Sequence, residues 1–181
     1  MTTAPLPETY RRALRTLIRF AAAAGIVGLL VGISFQESAR KLTWEMAGPG
    51  LHLESLLTLA LSHGHIFTMA VIMPLVLGGA LVLARQAGGA ELGPRPLAAL
   101  VWGYLPFTVA SLALQLVKGY HILLAVRGGQ PDLAAVDAAF LGGSHALRYA
   151  VYGVVHAGMG ITLGIFLVAL WRSLGKGRAT A

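Results

Sequence analysis

Apolar residues dominate four stretches of the chain, separated by short segments rich in Gly, Pro and charge. A bilayer core of about 30 Å needs about 20 mostly apolar residues as helix. The stretches at about residues 16–36, 55–84, 97–126 and 143–171 meet that length. The last three exceed a minimal span, so they are expected to tilt or to reach into the headgroups. The pattern predicts an all-α integral membrane protein, an up-and-down four-helix bundle that forms one transmembrane domain over residues 1–181.

The connections sharpen this outline. The segment RQAGGAELGPRP, residues 85–96, reads as a tight turn between antiparallel helices. The stretch Pro131–Leu141 spaces Leu133, Val136, Phe140 and Leu141 as a short amphipathic helix would, lying on the membrane surface. Pro74 and Pro106 predict kinks within the second and third spans. Gly25, Gly28 and Gly32, with Gly160 and Gly164, have the small-residue spacing of close helix packing.

Composition excludes several classes. Hydrophobic residues make up 56% of the chain and charged residues 12%, about half the charge of a soluble domain. A soluble enzyme, a disordered chain and a nucleic-acid-binding domain are therefore not expected. The pI of about 10.4 does not reverse this, because the basic residues sit at the ends of apolar runs and not along a polar stripe. Their distribution sets an orientation. Arg11, Arg12, Arg15 and Arg19 precede or open the first span, Arg85 and Arg95 flank the inner turn, and Arg172, Lys176 and Arg178 follow the fourth span. The opposite ends carry Arg40, Lys41 and Arg127, offset by Glu37, Glu45, Glu54, Asp132 and Asp137. The positive-inside rule then puts both termini in the cytoplasm of a multi-pass inner-membrane protein, with Trp44 as an interfacial anchor on the outer side. Arg11 and Arg12 before an apolar run also fit an export signal, but no small-x-small cleavage site follows Phe35.

The absence of cysteine removes disulfides, thiolate zinc sites, iron–sulfur clusters and covalently attached haem. Six histidines remain. Histidine inside a span is costly and marks function by default. At about 1.5 Å per residue from the outer ends, His63 and His65 lie about 12–15 Å deep and His156 about 18–20 Å deep. His52, His121 and His145 fall near the outer surface. On the fourth span His145, Arg148, Tyr149, Tyr152, His156 and Met159 share a face, and Tyr104, Thr108, Ser111, Gln115 and Lys118 share one on the third. His63 and His65 point about 160° apart, so they cannot hold one compact ion together. No HxxxH or HExxH occurs to supply convergent zinc ligands. A bis-histidine haem asks only for one histidine from each of two facing helices. His63 or His65 with His156 meets that demand, a second pair would draw on His121 or His145, and Arg148, Lys118 and Tyr152 would face the propionates.

The stretch SHGHIFTMAVIMPLVLGG, Ser62 to Gly79, together with GYHILL and VVHAGMGITLG, resembles small four-span proteins related to subunit I of the haem–copper oxidases. In those oxidases a His-x-His pair on one helix serves two haems on opposite faces. The resemblance therefore implies His63 and His65 as the matching pair and His156 as the ligand from across. It does not extend to a copper site, since three further histidines in the required arrangement are missing and the chain is about a third of an oxidase core. The expectation is a membrane cytochrome with one or two b-type haems, working in electron transfer or in gas or redox sensing, with a redox partner, a respiratory complex or a second copy of the chain as candidate partners. Two other readings stay open. The histidines would serve a metal or proton transporter, or they would merely bond neighbouring helices in a structural or assembly subunit. Met69 and Met159 read as core filling.

Overall fold

A computed structural model describes residues 6–176, excluding the side chains of Trp44, Pro49 and Lys176, so the anchor role of Trp44 and the charges of Lys176 and Arg178 fall outside the described structure. The described chain is all-helical. Its elements are α1 (Glu8–Lys41), α2 (Trp44–Ala47), α3 (Pro49–His65), α4 (Met73–Gln86), α5 (Pro94–Ala98), α6 (Leu105–Arg127), α7 (Leu133–Ala139) and α8 (His145–Lys176). Two π-helical stretches, Ile66–Ile72 and Ala99–Tyr104, join α3 to α4 and α5 to α6. Four helices are thus long and apolar enough to cross a membrane: Glu8–Lys41, Gly50–Gln86, Pro94–Arg127 and His145–Gly175. The first three contain their apolar stretches and outrun them, because charged turns extend the helix past the hydrophobic run. Glu8 opens α1 and pairs with Arg11 at 2.7 Å and Arg12 at 3.2 Å, while Arg40 and Lys41 close it. Both placements complement the helix dipole. The fourth helix begins at His145, two residues later than the apolar run.

The two prolines act through the π stretches. Each sits at the second residue of the α-helix that follows one, Pro74 in α4 and Pro106 in α6. A proline ring clashes with the carbonyl four residues back and offers no N–H. Widening the preceding turn to the π pattern relieves both problems within a continuous helix.

Consecutive spans run in opposite directions. At the end carrying the chain's N-terminus, called proximal here, the Tyr10 hydroxyl accepts the Leu92 N–H at 2.7 Å and the Ala90 N–H bonds to the Ser173 carbonyl at 3.0 Å. At the distal end, Leu42, Leu56, Leu59, Leu123 and Val126 form one cluster. The proximal core draws on all four spans, with Leu17, Leu81, Leu100 and Phe166 fully buried at its centre. The distal half does not close in the same way. There α3 packs on α1 and α6, whereas α8 packs on α6 and on Ala99–Tyr104 and makes at most marginal contact with α3. Only 11% of the most apolar window of the fourth span is buried, against 33% in the second and third. Apolar side chains that face outward, such as Ile26, Leu29, Trp102 and Trp171, cover a surface suited to lipid tails. By length and composition this is a multi-pass membrane protein.

Close approach between spans rests on particular glycines. A side chain at Gly103 would run into Thr162, one at Gly119 into Leu59, and one at Gly158 into Phe107. Gly28 and Gly32 touch Ile66, Phe67 and His63 as their spacing predicts, but Gly160 and Gly164 face open space. The expected packing role of that second pair is therefore corrected. The short amphipathic helix expected after Pro131 is present as α7, with Val136 and the following Phe140 buried against the bundle. Its start is fixed by Asp132, whose carboxylate accepts the Ala135 N–H at 3.0 Å.

Candidate functional site

The three deep histidines part company in the structure. On α3 the buried Ser55, Leu59 and Ser62 face α6, and His63 with Phe67 turns toward α1. The His63 Nδ1 donates to the Gly28 carbonyl at 3.0 Å, and its ring lies over Gly32 with Phe67 edge-on at 5.1 Å. This is an interhelical bond to backbone, made possible by the missing side chain at Gly32.

His65 lies on the other flank of the α6-facing side, and it is exposed. Its Nδ1 donates to the Leu61 carbonyl of its own helix at 2.7 Å. His156 repeats the arrangement on α8: it is exposed, and its Nδ1 donates to the Tyr152 carbonyl at 2.8 Å, with the Tyr152 ring stacked at 5.9 Å. A carbonyl accepts only, so the proton sits on Nδ1 in both and the Nε2 lone pair points outward unbonded to the described protein.

Internal contacts fix the depth of this pair. The Tyr104 hydroxyl donates to the Met69 carbonyl at 3.1 Å, one helical turn proximal to His65. Thr162 sits against Gly103, and Gly158 against Phe107. Counting about 1.5 Å per residue from these contacts, His65 lies about 6 Å and His156 about 8 Å distal to Tyr104. The two are therefore level. Azimuth agrees, because seven residues return to within about 20° on a helix and Leu163, seven after His156, packs into the four-span core. Both histidines stand at the rim of that core, where α3 and α8 diverge beside buried Thr108 and Ser111 of α6.

The more distal polar residues form a second group. Lys118 Nζ lies 2.5 Å and Arg148 Nη1 3.0 Å from the two carboxylate oxygens of Asp137 on α7. Arg148 also donates to the Asp137 carbonyl at 2.5 Å. The Lys118 hydrogen bond, with the charge of Arg148, holds the Asp137 carboxyl below the usual carboxylate range. Together with Phe140, His145, Tyr149 and Tyr152 these residues line a cavity of about 370 Å³. The Arg148 Nε and the Tyr152 hydroxyl are buried there without a hydrogen-bond partner, the kind of group that a bound acceptor satisfies. His145 lies against Tyr149 with ring centroids 4.3 Å apart. His121 is covered by α7: its Nε2 donates to the Val136 carbonyl at 3.0 Å and its ring meets Phe140.

The sequence residues thus fall into three places: His63 at the α1 interface, His65 and His156 on exposed flanks of α3 and α8, and Lys118, Arg148, Tyr152 and His145 around the distal cavity, with His121 beneath α7. In the sequence Asp137 stands only as an outer-loop charge. Its signal was its place on the polar side of α7, within reach of two unmatched cations. Among the described residues no three histidine or acidic side chains cluster as a metal-ion site. The chain matches no known protein family, no curated protein and no solved structure.

Proposed function

We propose that this protein is a membrane cytochrome serving electron transfer, in which His65 of α3 and His156 of α8 would hold a b-type haem. One observation carries the reading. Two exposed histidines in apolar spans, whose depths by residue count differ by about 2 Å, each bind Nδ1–H to a carbonyl of their own helix and present a bare Nε2. A ligating histidine almost always anchors its other nitrogen in this way. A bare imidazole nitrogen facing hydrocarbon is otherwise an uncompensated polar group.

The donor chemistry fits haem, whose flat apolar body needs a ligand on either side and no third or fourth protein atom. When bound, its iron would cycle by one electron between ferric and ferrous. The chain's own part is to hold and tune. The Leu61 and Tyr152 carbonyls orient the two imidazoles and raise their basicity. Lys118, Arg148 and the Tyr152 hydroxyl supply donors toward the distal end, where Asp137 competes for the two cations. Two histidines holding the same haem would favour electron transfer over gas sensing. The bond from His63 to Gly28 favours one haem over two. The proximal centre is filled by Leu81, Leu100 and Phe166, which weighs against a transport path. Cytoplasmic termini, from the positive-inside distribution, would put the haem on the outer side of an inner membrane.

The test is ligand removal in protein purified from haem-replete cells. His65→Ala and His156→Ala should each lose or strongly shift the haem spectrum, whereas His52→Ala should keep it. An unchanged spectrum in either of the first two would remove that residue from the iron.

A further inference from the structure

At the proximal end, opposite to the histidines, α1 and the start of the third span enclose an open groove of about 580 Å³. Arg12, Arg15 and Arg19 line one wall, at the spacing that keeps three side chains on one face of a helix. The other wall is apolar and includes Leu97, Val101 and Trp102. Arg12 is shared with Glu8 at 3.2 Å. Neither Arg15 nor Arg19 has a carboxylate within salt-bridge distance among the described residues, and no acid lines the groove. Both are exposed, and so is the Trp102 side chain, at 80%.

We infer that this groove is a binding site for an anionic phospholipid of the proximal leaflet. The chemistry is a phosphodiester on guanidinium, which offers paired N–H donors in a planar fork. The geometry adds what a soluble phosphate would not use: an apolar wall running from the arginines toward the bilayer interior, with an indole exposed beside it. Basic pockets between membrane helices are where anionic headgroups dock. Ala13 and Leu17, between the arginines in sequence, are buried in the four-span core, so the stripe is held rigidly at the rim of the groove. The site is independent of the haem reading.

The experiment uses the full-length protein carrying Trp44→Phe and Trp171→Phe, so that Trp102 is the remaining indole. Its fluorescence is measured in phosphatidylcholine vesicles in which a fixed fraction of either phosphatidylcholine or phosphatidylglycerol has brominated chains. The brominated anionic lipid should quench Trp102 in clear preference. With about a fivefold gain in affinity per arginine near an anionic surface, Arg15→Gln/Arg19→Gln should cut that preference by about 25-fold. Arg15→Lys/Arg19→Lys, which keeps the charge but loses the fork, should retain only part of it, and Arg95→Gln, outside the groove, should leave it intact. Equal quenching by the two lipids, or a preference that survives Arg15→Gln/Arg19→Gln, would overturn the assignment. Loss of the preference on adding inorganic phosphate alone would reassign the groove to a soluble phosphate and overturn it equally.

Discussion

Gly103→Ala should prise α8 away from the third span. The added Cβ would lie 2.4 Å from the Thr162 Cγ2 and 2.8 Å from its Cβ, where carbon atoms prefer about 3.5–4.0 Å. Turning Thr162 about χ1 relieves the first contact but not the second, since Cβ is fixed to the backbone. It also disturbs the hydroxyl, which donates to the Gly158 carbonyl at 2.7 Å. The helices must then part by about 1 Å. Overpacking of this kind costs about 1–3 kcal/mol, partly offset by the gain of about 1 kcal/mol for Ala over Gly in a helix. The net expectation is a loss of up to about 2 kcal/mol, read by reversible unfolding in mixed detergent micelles. Gly160→Ala is the matched control, because the same substitution there meets open space on the same face-to-face pair of spans, and it should be neutral or mildly stabilising. Equal stability of Gly103→Ala and Gly160→Ala, which should differ by about 1–3 kcal/mol, would refute this view of the interface.

Two further outcomes follow from the same structure. His63→Ala should cost about 0.6–1.7 kcal/mol in the same unfolding assay, the range for a polar bond between membrane helices, while leaving one haem per chain; loss of haem would instead support the two-haem arrangement. Asp137, held below the usual carboxylate range by Lys118 and Arg148, stabilises the docking of α7 above the unfolded carboxyl range near pH 4, and that contribution disappears as pH falls through its lowered value. Hydrogen exchange of residues 133–139 should therefore be flat from pH 8 to about 5 after correction for the intrinsic rate and should rise below about 4. The effect is small, under about 1 kcal/mol, because the carboxylate is partly exposed and screened, and exchange unaltered in Asp137→Asn would contradict it.

Hydropathy located the four spans because helix cores of this length leave a long apolar run whatever their partners. It missed the first eight residues of α1, since Glu8 to Arg15 are helical by charge pairing and dipole rather than by apolarity. The π stretches left only an indirect trace in Pro74 and Pro106. Helical phase correctly separated the directions of His63 and His65, but it could not say which of them faces another helix. That depends on Gly28 and Gly32 of a different span, which admit one imidazole and not the other. The glycine spacing itself misled at Gly160 and Gly164, where nothing approaches, while the isolated Gly103, Gly119 and Gly158 carry contacts set by the partner helix. Lys118 and Arg148 were legible as a cationic pair, but their shared anion came from a loop helix whose docking required Val136 and Phe140 to turn inward.

The most direct test of the account is the absorption spectrum of the purified parent protein, with haem counted per chain by pyridine haemochrome. One equivalent of b-type haem, with a Soret band and sharp reduced α and β bands typical of two histidine ligands, is the predicted result. A colourless protein from haem-replete cells, unable to take up added haemin, would contradict it.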